Sequence, residues 1–150
     1  MIRLFIIHPD PTRVEQMLSA LHGEPDLAVV HSSTSCADAL RCLARTPCDI
    51  VLLSFTMAET EALGFVRQLC ETERGPKILV TEMSAATELI LYWMEEGAAG
   101  YVLADTGWAS LVKQIRAVHE DELMLRPEIA AALIARIAEL KQLAHELDAS

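Results

Sequence analysis

The chain has 150 residues, 52% apolar and 23% charged, which is enough apolar material for the core of one ordinary domain. A net charge of -10 repels a polyanion and argues against direct contact with a nucleic-acid backbone. No segment approaches the roughly 18 uncharged apolar residues that span a bilayer, and the N-terminus lacks the features of a signal peptide. We therefore expect a cytoplasmic protein without membrane contact.

Short apolar runs recur along the chain and alternate with helical patterns. The clearest runs cover residues 4–7, 50–53 and 78–80, and each is followed by polar or turn-forming residues. This pattern is typical of buried parallel strands. Two weaker strands fit residues 27–31 and 100–103. The sequence therefore predicts five strands in all.

The segments between the strands have amphipathic helical spacing, as at Val14, Met17 and Leu21. Ser35, Ser84 and Thr106 precede helical segments, and we expect them at the helix N-termini. Alternating strands and helices with right-handed crossovers predict an α/β fold with a doubly wound five-stranded parallel sheet. In such a sheet the ligand crevice lies beyond the carboxyl ends of the strands.

The four cysteines do not form a metal-binding or disulfide pattern. Cys36, Cys42, Cys48 and Cys70 include no CxxC pair and no histidine at metal-ligand spacing. We expect buried free thiols, no metal and no cofactor. An enzyme is also disfavoured, because the chain has no Ser-His-acid arrangement and no glycine-rich phosphate loop.

Several segments resemble receiver domains of NarL/FixJ-type response regulators of bacterial two-component systems, which have the CheY-like fold. The first strand of the family and its loop are similar to IRLFIIHPDP, and the second strand is similar to EPDLAVV. The segment with the phosphorylated aspartate is similar to CDIVLLSFTMAE, and the fifth strand is similar to GAAGYVLADTG. LVKQIRAVHEDELMLRPEIAAAL resembles the last helix and the start of a linker. The resemblance implies a receiver-like domain over residues 1–122. Residues 123–150 would form a C-terminal linker or dimerisation helix leading to an effector domain outside this chain.

The resemblance also implies that the phosphorylation pocket is degenerate. In this family, phosphoryl transfer uses an acceptor aspartate, an acidic pair that helps to hold Mg²⁺, a lysine and a hydroxyl group. By position, the acceptor falls on Ser54, the acidic pair on His8 and Pro9, the lysine on Ala104 and the hydroxyl on Thr81. Only the hydroxyl is kept. The pocket comprises His8, Pro9, Asp10, Ser54, Thr81 and Ala104.

Four residues at or near this pocket have alternative interpretations. After a small shift in register Asp10 would replace the acidic pair, but it is a single carboxylate between two prolines, and a hard cation with few charged ligands binds weakly. We therefore do not expect this replacement. Ser54 would form a stable ester rather than a labile acyl phosphate, so we expect it to fill the vacated pocket. We expect His8 to be a hydrogen-bonded loop residue rather than a metal ligand. Tyr101 matches an aromatic that reports activation in the family, and we expect it to stay in one state.

The C-terminal segment from Pro127 onward is predicted to form one long helix, since no glycine or further proline interrupts it. Apolar residues recur on it with heptad spacing, which favours dimerisation. The alternatives are packing against the chain's own core and an ordinary amphipathic surface. The heptad positions are Ala130, Leu133, Ile137, Leu140, Ala144 and Leu147.

These features favour a phosphorylation-independent receiver that serves as a homodimerisation and protein-interaction module of a transcription regulator. DNA would be contacted only through an effector domain outside this chain. One alternative is a small-molecule sensor that uses the vacated pocket. Another is a stand-alone adaptor with a partner surface on the fourth helix, fifth strand and fifth helix. Trp93, Met94 and Trp108 are candidates for that surface.

Overall fold

The computed structural model describes residues 1–72 and 74–149 and places five strands and six helices within them. The strands are β1 (Ile2–Ile7), β2 (Leu27–Ser33), β3 (Ile50–Ser54), β4 (Lys77–Met83) and β5 (Gly100–Leu103). The helices are α1 (Pro11–His22), α2 (Cys36–Leu43), α3 (Glu59–Cys70), α4 (Thr87–Glu96), α5 (Trp108–His119) and α6 (Pro127–Ala149). The strands pair in parallel in the order β2-β1-β3-β4-β5, which confirms the predicted fold.

The sheet separates two apolar layers, because successive side chains of a strand point to opposite faces. In β1, Phe5 and Ile7 face the layer that contains residues of α2, α3 and α4. Leu4 and Ile6 face the layer formed with α1 and α5. The central strand β3 is buried at every position. Because all the strands are parallel, their carboxyl ends meet at one edge of the sheet.

The first turn of α6 is part of the core, although the rest of the helix extends away from it. Ile129 is 0% exposed and belongs to the same apolar layer as Tyr101. Arg136 Nε donates to Glu95 Oε1 at 2.8 Å and holds α6 against α4. From residue 134 to residue 149 every position is exposed. The predicted long helix is thus present, and a domain boundary after residue 122 remains a prediction.

The predicted helix starts are correct at one of three positions. Ser35 caps α2, because its hydroxyl accepts the backbone N–H three residues on at 3.3 Å. The expectation for Ser84 is wrong, since α4 begins after Ala86, which has no side-chain cap. Thr106 is also wrong: its hydroxyl donates to the last carbonyl of β5 at 2.7 Å, and Gly107 is the residue before α5.

The cysteines differ in burial, which corrects the expectation of four buried thiols. Cys36 is buried, Cys42 and Cys48 are half-buried, and Cys70 is exposed. Burial raises the pKa of the Cys36 thiol to about 12 and that of Cys48 to about 11. These two thiols are therefore protonated at neutral pH. Among the described residues, no helix is both long and apolar enough to cross a membrane.

Candidate functional site

Three of the predicted pocket residues come together at the carboxyl edge of the sheet. His8 follows β1, Ser54 ends β3 and Thr81 lies near the end of β4. Their exposed fractions are 3%, 1% and 4%, so each polar side chain is almost completely removed from solvent. Buried polar groups need hydrogen-bond partners, and the partners here define the chemistry of the site.

The residue that completes this cluster is Glu82, which the sequence did not single out. The register between β4 and β5 shifts between Val80 and Met83, and both of these residues face the same apolar layer. Thr81 and Glu82 therefore both lie toward α1 and α5, where they line one small cavity. The backbone of Glu82 has φ 56°, a left-handed conformation that is uncommon for residues with a side chain and costs about 1 kcal/mol or more.

The Glu82 carboxylate is held by donors from the loop after β1 and from α1. His8 Nε2 lies 3.0 Å from Glu82 Oε2, and Arg13 Nε donates to Glu82 Oε1 at 2.9 Å. The backbone N–H of Asp10 donates to His8 Nδ1 at 3.0 Å, so Nδ1 accepts and Nε2 carries the proton given to Glu82. Both carboxylate oxygens are thus engaged, as expected for a charge taken partly out of water.

Ser54 also has its hydroxyl occupied. Its Oγ lies 2.6 Å from Thr56 Oγ1 and accepts the backbone N–H of Thr56 at 3.1 Å. The same Oγ is 3.5 Å from Glu82 Oε2. The carboxylate of Glu82 therefore lies directly beside the residue at the acceptor position, so Glu82, rather than Ser54 alone, fills this pocket.

The space that remains at the site is small. The cavity lined by Thr81, Glu82 and Ala104 measures about 30 Å³. A small-molecule site typically measures about 300 Å³ or more, so this cavity does not accommodate a metabolite. Thr81 Oγ1 has no hydrogen-bond partner among the described residues. One water molecule fits a space of this size.

The electrostatics of the site favour a charged Glu82. Burial raises the pKa of the Glu82 carboxyl, but hydrogen bonds from His8 and Arg13 and the charge of Arg13 outweigh burial, and the pKa lies below its usual value. These residues do not fit a Mg²⁺ site, because a hard cation needs several free oxygen ligands. The carboxylate beside Ser54, that of Glu82, already accepts hydrogen bonds from His8 and Arg13.

The other predicted pocket residues lie outside the buried cluster. Pro9, Asp10 and Ala104 are exposed. The Asp10 carboxylate accepts the backbone N–H of Thr12 at 3.0 Å and caps α1. This hydrogen bond gives Asp10 a structural role at the start of the helix that also contributes Arg13.

Tyr101 is buried, with 5% of its surface exposed. Its hydroxyl accepts the backbone N–H of Arg126 at 3.2 Å, directly before α6. The aromatic residue of β5 is therefore tied to the segment that leads into the long helix.

The predicted partner surface is smaller than expected. Trp93 is 5% exposed and belongs to the core, and Met94 is half-buried against it. Trp108 is 39% exposed, but its ring lies 5.1 Å from the guanidinium carbon of Arg13 and thus faces α1. On α4, the Glu95 carboxylate accepts a hydrogen bond from Arg136 of α6, so it is engaged within the chain.

The heptad residues of α6 follow a gradient of exposure. Ala130 and Leu133 are half-buried near the core, whereas Ala144 is exposed. Ile137 is 46% exposed, Leu140 is 53% exposed and Leu147 is 75% exposed. The apolar row therefore reaches solvent along the second half of the helix.

Curated proteins similar to this chain are transcriptional response regulators, although no protein-family model matches it. The chain is 25% identical over 91% of its length to the transcriptional regulatory protein LiaR of Bacillus subtilis. It is 26% identical over 95% of its length to LnrK of the same organism. The chain spans 65% of the length of each of these two relatives.

Solved structures give the same class of fold. A LuxR-family two-component response regulator from Aurantimonas sp. SI85-9A1 aligns with a TM-score of 0.79 at 24% identity, covering 92% of this chain and 99% of that one. The signal receiver domain of NarL from Mycobacterium tuberculosis aligns with a TM-score of 0.72 at 20% identity, covering 79% and 96%. The fold is that of a response regulator receiver domain. Together with the sequence relatives, it supports the NarL/LuxR type.

Proposed function

We propose that this chain is a phosphorylation-independent receiver domain that acts as a dimerisation and protein-interaction module of a transcription regulator. The observation that supports this most strongly is the Glu82 carboxylate, held by His8 and Arg13 beside Ser54. The relatives of this chain are transcriptional regulators. We therefore assign contact with DNA to an effector domain outside this chain.

The position of Glu82 opposes phosphoryl transfer on electrostatic grounds. A phosphoryl group on Ser54 would place up to two negative charges next to a carboxylate that is already ionised. At about 4 Å and an effective dielectric constant near 20, each pair of like charges costs roughly 4 kcal/mol. The resemblance assigns the compensating lysine to Ala104, which supplies no charge.

Phosphorylation independence is tested by incubating the protein with a small phosphodonor and Mg²⁺, followed by intact-mass measurement. We expect an unchanged mass, whereas an adduct of about 80 Da, labile or stable, would contradict the proposal. The variant Ser54→Ala is the matched control. An adduct that appears in the parent chain and is lost in this variant would identify Ser54 as an acceptor.

The dimerisation part of the proposal is based on the exposed apolar row of α6. A truncation before Ile129 would open the core, since that residue is 0% exposed, so point substitutions are the better test. We expect light scattering to give a dimer for the parent chain and a monomer for Ile137→Ser combined with Leu140→Ser. His145→Ser, a change at an exposed position outside the heptad row, is expected to leave the dimer intact. A monomeric parent chain would refute the dimer.

A further inference from the structure

The second half of α6 presents an apolar surface that the receiver core does not cover. Ile137 is 46% exposed, Leu140 is 53%, Leu143 is 55% and Leu147 is 75%. These side chains recur every three or four residues and lie on one side of the helix. An apolar row of this length on an acidic protein marks an interaction surface.

The side of α6 that faces α4 is distinct from the part of this row formed by Ile137 and Leu140, whereas Leu143 lies closer to it. Ala132, Arg136 and Glu139 line the groove between α6 and α4. At about 100° per residue, the row through Ile137 and Leu140 is centred roughly a quarter-turn or more away around the helix axis. A second helix therefore fits against the row while α4 keeps its contact.

A parallel pair of α6 helices matches this surface poorly. In a parallel heptad register each core residue meets its own copy, so Ala130 meets Ala130 and Ala144 meets Ala144. Two of the layers would then contain only methyl groups. Flanking positions would place Arg136 opposite Lys141 of the second copy, on both sides of the pair. Arg136 also keeps its ion pair with Glu95, so it provides no attraction across the interface.

An antiparallel pair matches the same residues in size. With the helices centred between residues 138 and 139, Ala130 lies opposite Leu147 of the second copy and Leu133 lies opposite Ala144. Ile137 then lies opposite Leu140, so every layer combines a small residue with a large one or two residues of equal size.

From this complementarity we infer that, within the proposed dimer on which this pairing rests, α6 pairs antiparallel with α6 of a second copy of this chain. Each copy lays the C-terminal half of its helix along the N-terminal half of the other, next to the partner's α4. The two receiver cores consequently lie at opposite ends of the helix pair.

Disulfide cross-linking distinguishes the two orientations. In the antiparallel pair, residue 133 of one copy lies opposite residue 144 of the other. The two copies of residue 133 are 11 positions apart, or about 16 Å along the axis. A disulfide requires Cα atoms within about 7 Å. Under mild oxidation we therefore expect the double variant Leu133→Cys, Ala144→Cys to form a covalent dimer, and each single variant to form none above the level of the parent chain.

Each outcome of this experiment has a defined meaning when light scattering is measured on the same variants. Efficient cross-linking of either single variant would show a parallel pair and overturn the inference while leaving the dimer in place. A dimer by mass without cross-linking of the double variant would overturn the inference as well. A monomeric mass for the parent chain would instead refute the proposed dimerisation. The parent chain controls for cross-linking through the exposed Cys70.

Discussion

Replacing Glu82 by Gln tests whether the carboxylate clamps the edge of the sheet. The change keeps the size and backbone of the residue but turns one acceptor oxygen into an NH₂ donor. The amide oxygen then serves His8, whose side chain is 4% exposed, and the NH₂ group faces Arg13. The Arg13 side chain is 38% exposed, so water offsets much of its loss. Weakening the charge-assisted bonds is expected to lower the free energy of unfolding by about 2 kcal/mol.

Urea unfolding followed by circular dichroism measures this loss at pH 7. The variant Glu15→Gln is the control, because Glu15 is exposed on the same helix as Arg13 and its replacement should change stability by less than about 0.5 kcal/mol. A Glu82→Gln variant as stable as the parent would refute the clamp.

The pH dependence of the same difference gives a second test. The folded pKa of Glu82 is lowered from 4.5, so its contribution is complete above that pH and is lost as the pH falls through the folded value. We therefore expect the parent and the Gln variant to converge below pH 4.5. A difference that does not change with pH would show that charge is not involved.

Two further pairs of substitutions test the packing of the fold by urea unfolding. Gly97 has φ 124°, and a Cβ there would lie 2.3 Å from the Cys70 sulfur, so Gly97→Ala should destabilise by about 2 kcal/mol. Gly64→Ala lies within α3, and apart from the adjacent residues and the helix's own backbone no atom lies within 4 Å of the new Cβ, so this change should instead stabilise by up to about 1 kcal/mol. Ile129→Ala should cost about 3 kcal/mol because Ile129 is 0% exposed, while Ile134→Ala, at 68% exposed, should cost less than about 0.5 kcal/mol. Equal effects within either pair would contradict the packing described.

The fold was predictable because its strands are buried on both faces and therefore appear as continuous apolar runs. The assembly of Ser54 and Thr81 at one edge follows from the same pattern, since parallel strands end together. Glu82 was not predictable in this way. Strict alternation along β4 would place Glu82 on the face opposite Thr81, and only the irregular register before Met83 places both on one side. The available signal was a carboxylate directly after the retained hydroxyl residue.

The sequence predicted the extent of α6 but not which of its apolar residues are buried. Heptad spacing identified the apolar positions, but Ile129 is buried in the core and Ile137 is exposed, although both belong to one uninterrupted helix. The difference arises from tertiary packing, because α4 is 10 residues long and α6 is 23. The second half of α6 therefore extends past the surface available on the receiver core.

The most direct test of the central claim is an NMR titration of the intact chain with Mg²⁺ and beryllofluoride, which mimics a phosphoryl group. We expect the backbone amide signals of Ser54, Thr81, Glu82 and Tyr101 to stay unchanged, because Glu82 already occupies the site next to the acceptor position. Saturable shifts of these signals would show that the pocket still accepts a phosphoryl-like anion, and would contradict a receiver that is independent of phosphorylation.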